Sequence, residues 1–172
     1  AALAQMAAGL TVGRKKYVEV SEQAGHILDK AEVIRRELVA AIDEDTASFE
    51  AILAVMRNKD MDDAAKSSAM EAATIHAGEV PLRVARLSRD AAVLARTIAT
   101  IGNVNAGTDA AVGAMMAHAA VNGAGLNVKV NGGSLKNREL AGAWSAEVDE
   151  LIAETDAIVR ETTAIAMERG GL

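Results

Sequence analysis

The feature that most constrains this chain is a helical period of apolar residues that persists for tens of positions at a time, interrupted by a single proline, Pro81. From Glu19 to Arg57, the residues Val20, Ala24, Ile27, Ala31, Ile34, Leu38, Ile42, Phe49, Ile52 and Met56 recur in the three- and four-residue rhythm of one long amphipathic helix. Asp60, Asp62 and Asp63 then provide capping and first-turn carboxylates for another helix. Pro81 has no N–H to offer the carbonyl four residues back, that of Ala77, which predicts a kink or a fresh start near Glu79. Beyond it, Val84, Leu87, Ala91, Leu94, Ile98 and Ile101 form a stripe that Gly102-Asn103 would end. Thr108 or Asp109 opens the next helix, predicted to reach about Val128. Its apolar character on nearly every side predicts a central position. Asn131-Gly132-Gly133 is expected to break the chain loosely before a final helix from about Asn137 to Arg169, carrying Leu140, Trp144, Val148, Leu151, Ile158 and Ile165. With a short first helix from Ala1 to about Thr11, the expectation is an all-α bundle of five to six helices in a single domain, residues 1–172.

Composition narrows the function classes. Hydrophobic residues make up 51% of the chain but aromatics only 2%, so the apolar content is aliphatic and alanine-rich, suited to helices whose backbones approach closely. A net charge of −6 without a polybasic tract argues against nucleic acid and anionic membranes as partners. The absence of cysteine excludes disulfides, thiolate metal sites and a thiol nucleophile. The most hydrophobic stretch, Ala110 to Leu126, is shorter than a membrane span and holds His118 and Asn122. No signal-peptide pattern is present, so a cytoplasmic location is expected. The first residues read as the middle of a helix, so native sequence is expected to continue upstream. His26, His76 and His118 lack metal-ligand spacing, phosphate-binding and nucleophile-elbow motifs are missing, and the methionines read as core filler.

Two constellations are candidates for chemistry. Asp45 falls within the apolar stripe of the long helix, three residues after Ile42 and four before Phe49, whereas Asp43 points elsewhere. A carboxylate turned toward an apolar interior is costly, and desolvation raises its pKa. Either a structural ion pair or cap, or a catalytic role, accounts for such a residue. The second set is Asn105, Asp109, Asn127 and Asn131, near one face of the apolar helix. Asp109 and Asn127 are 18 positions apart, about 27 Å at helical rise, so one copy cannot gather all four. Antiparallel packing against a second copy would bring opposite ends together, which predicts a homodimer with shared sites. Capping and core hydrogen bonding remain the alternative for the asparagines. Arg14, Lys15 and Lys16 follow the first helix, where cations favour the macrodipole regardless of function.

The segments Gly9-Leu10-Thr11-Val12-Gly13-Arg14-Lys15-Lys16-Tyr17, Ile42 to Phe49, Val80-Pro81-Leu82-Arg83-Val84-Ala85, Gly102-Asn103-Val104-Asn105 through Asp109, and Leu126 to Asn131 together resemble the formiminotetrahydrofolate cyclodeaminase/methenyltetrahydrofolate cyclohydrolase family, in order and over nearly the whole chain. The family's Pro-Gly-Gly-Gly-Ser-type turn ahead of the first helix has no counterpart in these residues. The resemblance implies an all-helical homodimer or higher homo-oligomer acting on a tetrahydrofolate derivative, polyglutamylated or not, without metal or redox cofactor. It implies Asp45 and Asp109 as catalytic groups. Asn105, Asn127 and Asn131 would orient the pterin or one-carbon unit, Arg14, Lys15 and Lys16 would hold the anionic glutamate tail, and Tyr17 would donate a hydrogen bond or stack. The leading expectation is conversion of 5-formiminotetrahydrofolate to 5,10-methenyltetrahydrofolate and ammonia. The alternatives are a methenyltetrahydrofolate cyclohydrolase, which the same residues would serve, and a noncatalytic helical adaptor.

Overall fold

In a computed structural model describing residues 1–172, five α-helices and two short 3-10 turns account for the chain, with no strand. The helices are α1 (Ala2–Gly9), α2 (Ser21–Arg57), α3 (Asp63–Ile101), α4 (Gly107–Ser134) and α5 (Arg138–Gly170); the 3-10 turns are Lys15–Val20 and Val104–Ala106. Asp62 caps α3 by accepting from the Ala65 N–H at 2.7 Å, and Asn137 caps α5 by accepting from the Leu140 N–H at 3.0 Å. Gly171, in the left-handed conformation at φ 69°, ends α5. No helix is long and apolar enough to cross a membrane.

Small residues set the packing. From α3, Ala85, Ala92, Ala95 and Ala99 are buried against Ala110, Ala114, Ala117, Val121 and Ala124 of α4. Larger side chains fill the ends, with Leu82, Val128, Leu135, Trp144 and Val148 forming one cluster. Burial of one such large side chain contributes roughly 1.5–3 kcal/mol. The α3–α5 pairs Arg86–Glu147, Arg89–Glu154 and Arg96–Glu161 ascend together in both helices, so α3 and α5 run parallel.

Three expectations are corrected. Pro81 does not restart α3, which continues unbroken through it. Gly132 and Gly133 lie inside α4, and the link that follows is tight. Leu135 is fully buried, and Glu71 of α3 accepts the N–H groups of Lys136 and Asn137 at 2.9 and 3.0 Å. The methionines are not core filler, since Met6, Met56, Met61, Met115, Met116 and Met167, six of the seven, are exposed. Within this single chain α4 keeps one apolar face open. It packs on α1, α3 and α5 but leaves Val112, Met116, Leu126 and Val130 in solvent.

Candidate active site

Asp45 emerges where α2, α3 and α4 meet. It lines a cleft of about 390 Å³ together with Leu38, Ile42, Thr46, Pro81 and Asn127. The sequence places Asp45 and Asn127 on different helices 82 positions apart, and the fold brings them to one hollow with a mainly apolar wall. The Asn127 Nδ2 donates to the Gly123 carbonyl one turn back at 3.1 Å. The Asp45 main-chain carbonyl accepts from Ser48 Oγ at 2.7 Å, while its carboxylate is bound to nothing in the chain.

Asp45 is exposed, not buried, in this chain, which corrects the expectation of a carboxylate turned into the interior. The reason is a drift along α2. The buried line follows Ile34, Ala41 and Ser48, seven residues apart, while Ile42, Phe49 and Met56, one position further round, face solvent. The apolar stripe read from the sequence is covered over Ala24, Ile27, Ala31 and Ile34, but its continuation through Ile42, Phe49 and Met56 is not; Ile42 retains 65% of its accessible surface.

The second hollow, about 480 Å³, sits at the other end of α4 and is lined by Arg14, Lys15, Lys16, Tyr17, Asn103, Val104 and Asn105. Gly13 makes the turn that delivers this segment. Its φ of 72° lies in the left-handed region, and its N–H donates to Ser21 Oγ at 3.1 Å. Tyr17 does not offer a loose hydroxyl. Its oxygen accepts the Val104 N–H at 3.1 Å and lies 3.5 Å from Asn103 Oδ1, while Lys16 Nζ stands 5.5 Å from its ring centre. Asn103, which the sequence reading did not single out as a binding residue, holds the corner. Its N–H donates to Thr11 Oγ at 2.9 Å, its Nδ2 to the Leu10 carbonyl at 3.2 Å, and its Oδ1 accepts the Asn105 N–H at 3.1 Å. The Gly-Asn turn motif was the available signal, but capping chemistry alone explained it.

The four polar residues of the α4 region therefore separate. Asn105 lies with the cationic hollow, and Asn127 with Asp45. Asp109 is half-buried in the first turn of α4, where a carboxylate complements the helix dipole, and lines neither hollow. Asn131 turns to α3 and donates through Nδ2 to the Ala77 carbonyl at 3.0 Å. His118 is also spoken for. Thr155 Oγ donates to the Leu151 carbonyl, so at 2.9 Å it accepts from His118 Nδ1, and Asn122 Nδ2 donates to Nε2 at 3.1 Å; together these bonds assign the neutral Nδ1–H tautomer.

The sequence model of the formiminotransferase-cyclodeaminase family matches residues 1–150. The chain is 37% identical over 157 residues to a methenyltetrahydrofolate cyclohydrolase of Methylorubrum extorquens (strain AM1), covering 90% of this chain and 76% of that protein. The crystal structure of a formiminotetrahydrofolate cyclodeaminase from Thermotoga maritima shares the fold, with a TM-score of 0.87 at 23% identity over 97% of this chain and 81% of that one. The match of the family model along most of the sequence, supported by the 37% identical relative, means that the chain belongs to the formiminotransferase-cyclodeaminase family.

Proposed function

We propose that the protein is a folate one-carbon enzyme, and that its principal reaction is that of a methenyltetrahydrofolate cyclohydrolase, interconverting 5,10-methenyl- and 10-formyltetrahydrofolate. The observation that carries the reading is the meeting of Asp45 and Asn127 in one largely apolar cleft. In this reaction water adds to the cationic methenyl carbon and loses one proton, and the N5–carbon bond then breaks as the remaining carbinol proton passes to N5, leaving the formyl group on N10. An anionic carboxylate both stabilises the cation and takes the proton from water, the role assigned to Asp45. Asn127 presents a carboxamide to orient the one-carbon unit. The carbon keeps its oxidation level throughout, so the reaction calls for no redox cofactor.

The choice of reaction differs from the leading expectation of the sequence and rests on the 37% identical relative. The family's own description supports cyclodeamination as the second reading. There N10 attacks the formimino carbon, the nitrogen is protonated and ammonia departs, leaving the same methenyl cation beside the same carboxylate. Supplying each substrate in parallel and following the methenyl chromophore, its enzymatic decay in one case and its appearance in the other, separates the two. Asp45→Asn is expected to lower kcat at least about 100-fold while leaving stability within about 0.5 kcal/mol, since the carboxylate is exposed and unpartnered. Retained activity removes Asp45 from the mechanism. Calorimetry with a tetrahydrofolate derivative tests the adaptor reading, which requires no folate binding.

The proposed active form is a homodimer. Val112, Met116, Leu126 and Val130 expose an apolar line along α4, interleaved with Ala119 and Gly123, and such a face seats a second copy closely. A two-fold axis across the middle of an antiparallel α4 pair would bring the cationic hollow of one copy toward the Asp45 cleft of the other. Arg14, Lys15 and Lys16 would then hold the anionic glutamate tail of a substrate whose pterin lies at the cleft.

A further inference from the structure

Pro81 occupies a place that a proline ordinarily damages. It removes one donor from the middle of α3, and the acceptor left behind, the Ala77 carbonyl, belongs to a residue only 5% exposed. An unpaired buried carbonyl is costly, because water cannot replace the lost partner. The missing donor comes from outside the helix, as Asn131 Nδ2 reaches across from α4 to the Ala77 oxygen at 3.0 Å.

Both ends of this bond adjoin the proposed active site. Pro81 and its neighbour Val80 line the cleft that holds Asp45. Asn131 lies four residues beyond Asn127, about 6 Å further along α4. The stretch of α4 that carries both asparagines contains Gly123, Gly125, Gly132 and Gly133, residues that weaken a helix and make it easy to deform. Glycines offer few side-chain contacts of their own, so a polar tie adds to the packing that keeps this stretch in register with a neighbouring wall.

We infer that Asn131 is a positioning residue whose clasp on the proline-freed Ala77 carbonyl holds the Asn127 turn of α4 at a fixed height against the Pro81 wall. This rests on the reading of the Asp45–Asn127 cleft as the active site. It takes Asn131 away from direct substrate contact, the role the family resemblance implied. It also gives the proline a purpose, because without an N–H at residue 81 the Ala77 carbonyl depends on Asn131, whereas a residue with its own N–H would share that oxygen with the asparagine.

The test is a double-mutant cycle between Pro81→Ala and Asn131→Ala, read by thermal unfolding and by steady-state kinetics on the same preparations of the protein. Asn131→Ala in the native background orphans the carbonyl and is expected to lower Tm. In the Pro81→Ala background the carbonyl regains a donor from α3, and the same substitution is expected to leave Tm nearly unchanged. Kinetics should behave differently. Removing the tie is expected to lower kcat about 10- to 100-fold with KM within about threefold, in both backgrounds, because satisfying the carbonyl does not restore the grip on α4. Recovery of kcat together with Tm in the double variant would overturn the inference and leave Asn131 a filler of one carbonyl. Equal Tm losses in both backgrounds would show that no clasp exists. If Asn131→Ala alone fails to fold, the comparison of Pro81→Ala with the double variant carries the test. An active Asp45→Asn enzyme would defeat the reading of the cleft without touching the Tm cycle, so the two failures are distinguishable.

Discussion

Trp144 of α5 covers Gly78 so closely that a Cβ built there would stand 2.2 Å from Cζ3 and 2.6 Å from Cη2 of the indole. Trp144 is only 6% exposed and packs with Leu82, Val128, Leu135 and Val148, so a shift of the indole would disturb that cluster. Gly78→Ala is therefore expected to cost about 1–3 kcal/mol, readable as a lower urea midpoint with an unchanged m value. A neutral result would mean that the indole can shift without loss. The position also illustrates what one sequence conceals. Glycine in a helix reads as a mild propensity penalty, and nothing local says that a tryptophan 66 residues later claims the space. Asp45 shows the complementary case. Its place within an apolar stripe is legible and singles out the residue that lines the hollow with Asn127, but its exposure is not, because periodicity reports which face is apolar and not what covers it. Asn131 was singled out as polar on an apolar helix, and its partner emerged only when α4 lay against the proline that had itself been read correctly as freeing Ala77.

At the level of helices, the caps Asp62 and Asn137 and the stop at Gly102 are readable, whereas α4 starts at Gly107 without a side-chain cap from Thr108 or Asp109, and the breaks expected at Pro81 and Gly132-Gly133 do not occur. Pro81 and Gly132-Gly133 stay helical because tertiary partners compensate them. Asn131 supplies the donor beside the first, and Gly132 is buried against Ala141 of α5, its would-be Cβ only 3.6 Å from that methyl. Carboxylates secure several of the contacts between these elements. Glu32 accepts from Arg35 and Arg36 of its own helix and from Gln5 of α1, which together bring its pKa from 4.5 down to about 2. The Lys136 and Asn137 N–H groups hold Glu71 below its ordinary value, Arg83 of α3 does the same for Glu44 of α2, and Arg86 does so for Glu147. A depressed folded-state pKa contributes stability that is present above the unfolded value near 4.5 and is lost as pH falls through the folded one. Tm is accordingly expected to hold from neutrality to about pH 5 and then to fall progressively, with Glu32 protonating last, near pH 2. Glu71→Gln should lower Tm at pH 7 and flatten the acid limb below about pH 5, because the variant has less to lose on protonation. An acid limb identical to that of the native chain would show that this carboxylate carries no share of the linkage.

For the molecule as a whole, the decisive distance is the length of α4, since the cationic hollow and the Asp45 cleft occupy opposite ends of it and no motion of a single compact chain unites them. A dimer across the apolar line of α4 would solve this, and Leu126 and Val130, 69% and 71% exposed, stand on that line. Leu126→Glu is expected to yield a monomer by sedimentation, helical by circular dichroism and inactive; a dimer that persists with full activity would put the interface elsewhere. A sharper test uses two variants that are each inactive. In the proposed arrangement every site takes Asp45 from one copy and Arg14, Lys15 and Lys16 from the other. A mixed dimer of Asp45→Asn with a Lys15→Ala/Lys16→Ala chain would then hold one site carrying both lesions and one carrying neither. Random exchange of subunits makes about half of the dimers mixed, so the mixture should recover roughly a quarter of the native sites. If each site lay within one chain, every site in every dimer would carry a lesion, and mixing would restore nothing. The recovered fraction therefore reports whether the polar residues at the two ends of α4 belong to one catalytic centre, a relation between copies that periodicity along one chain could suggest through its spacing but that only assembly can realise.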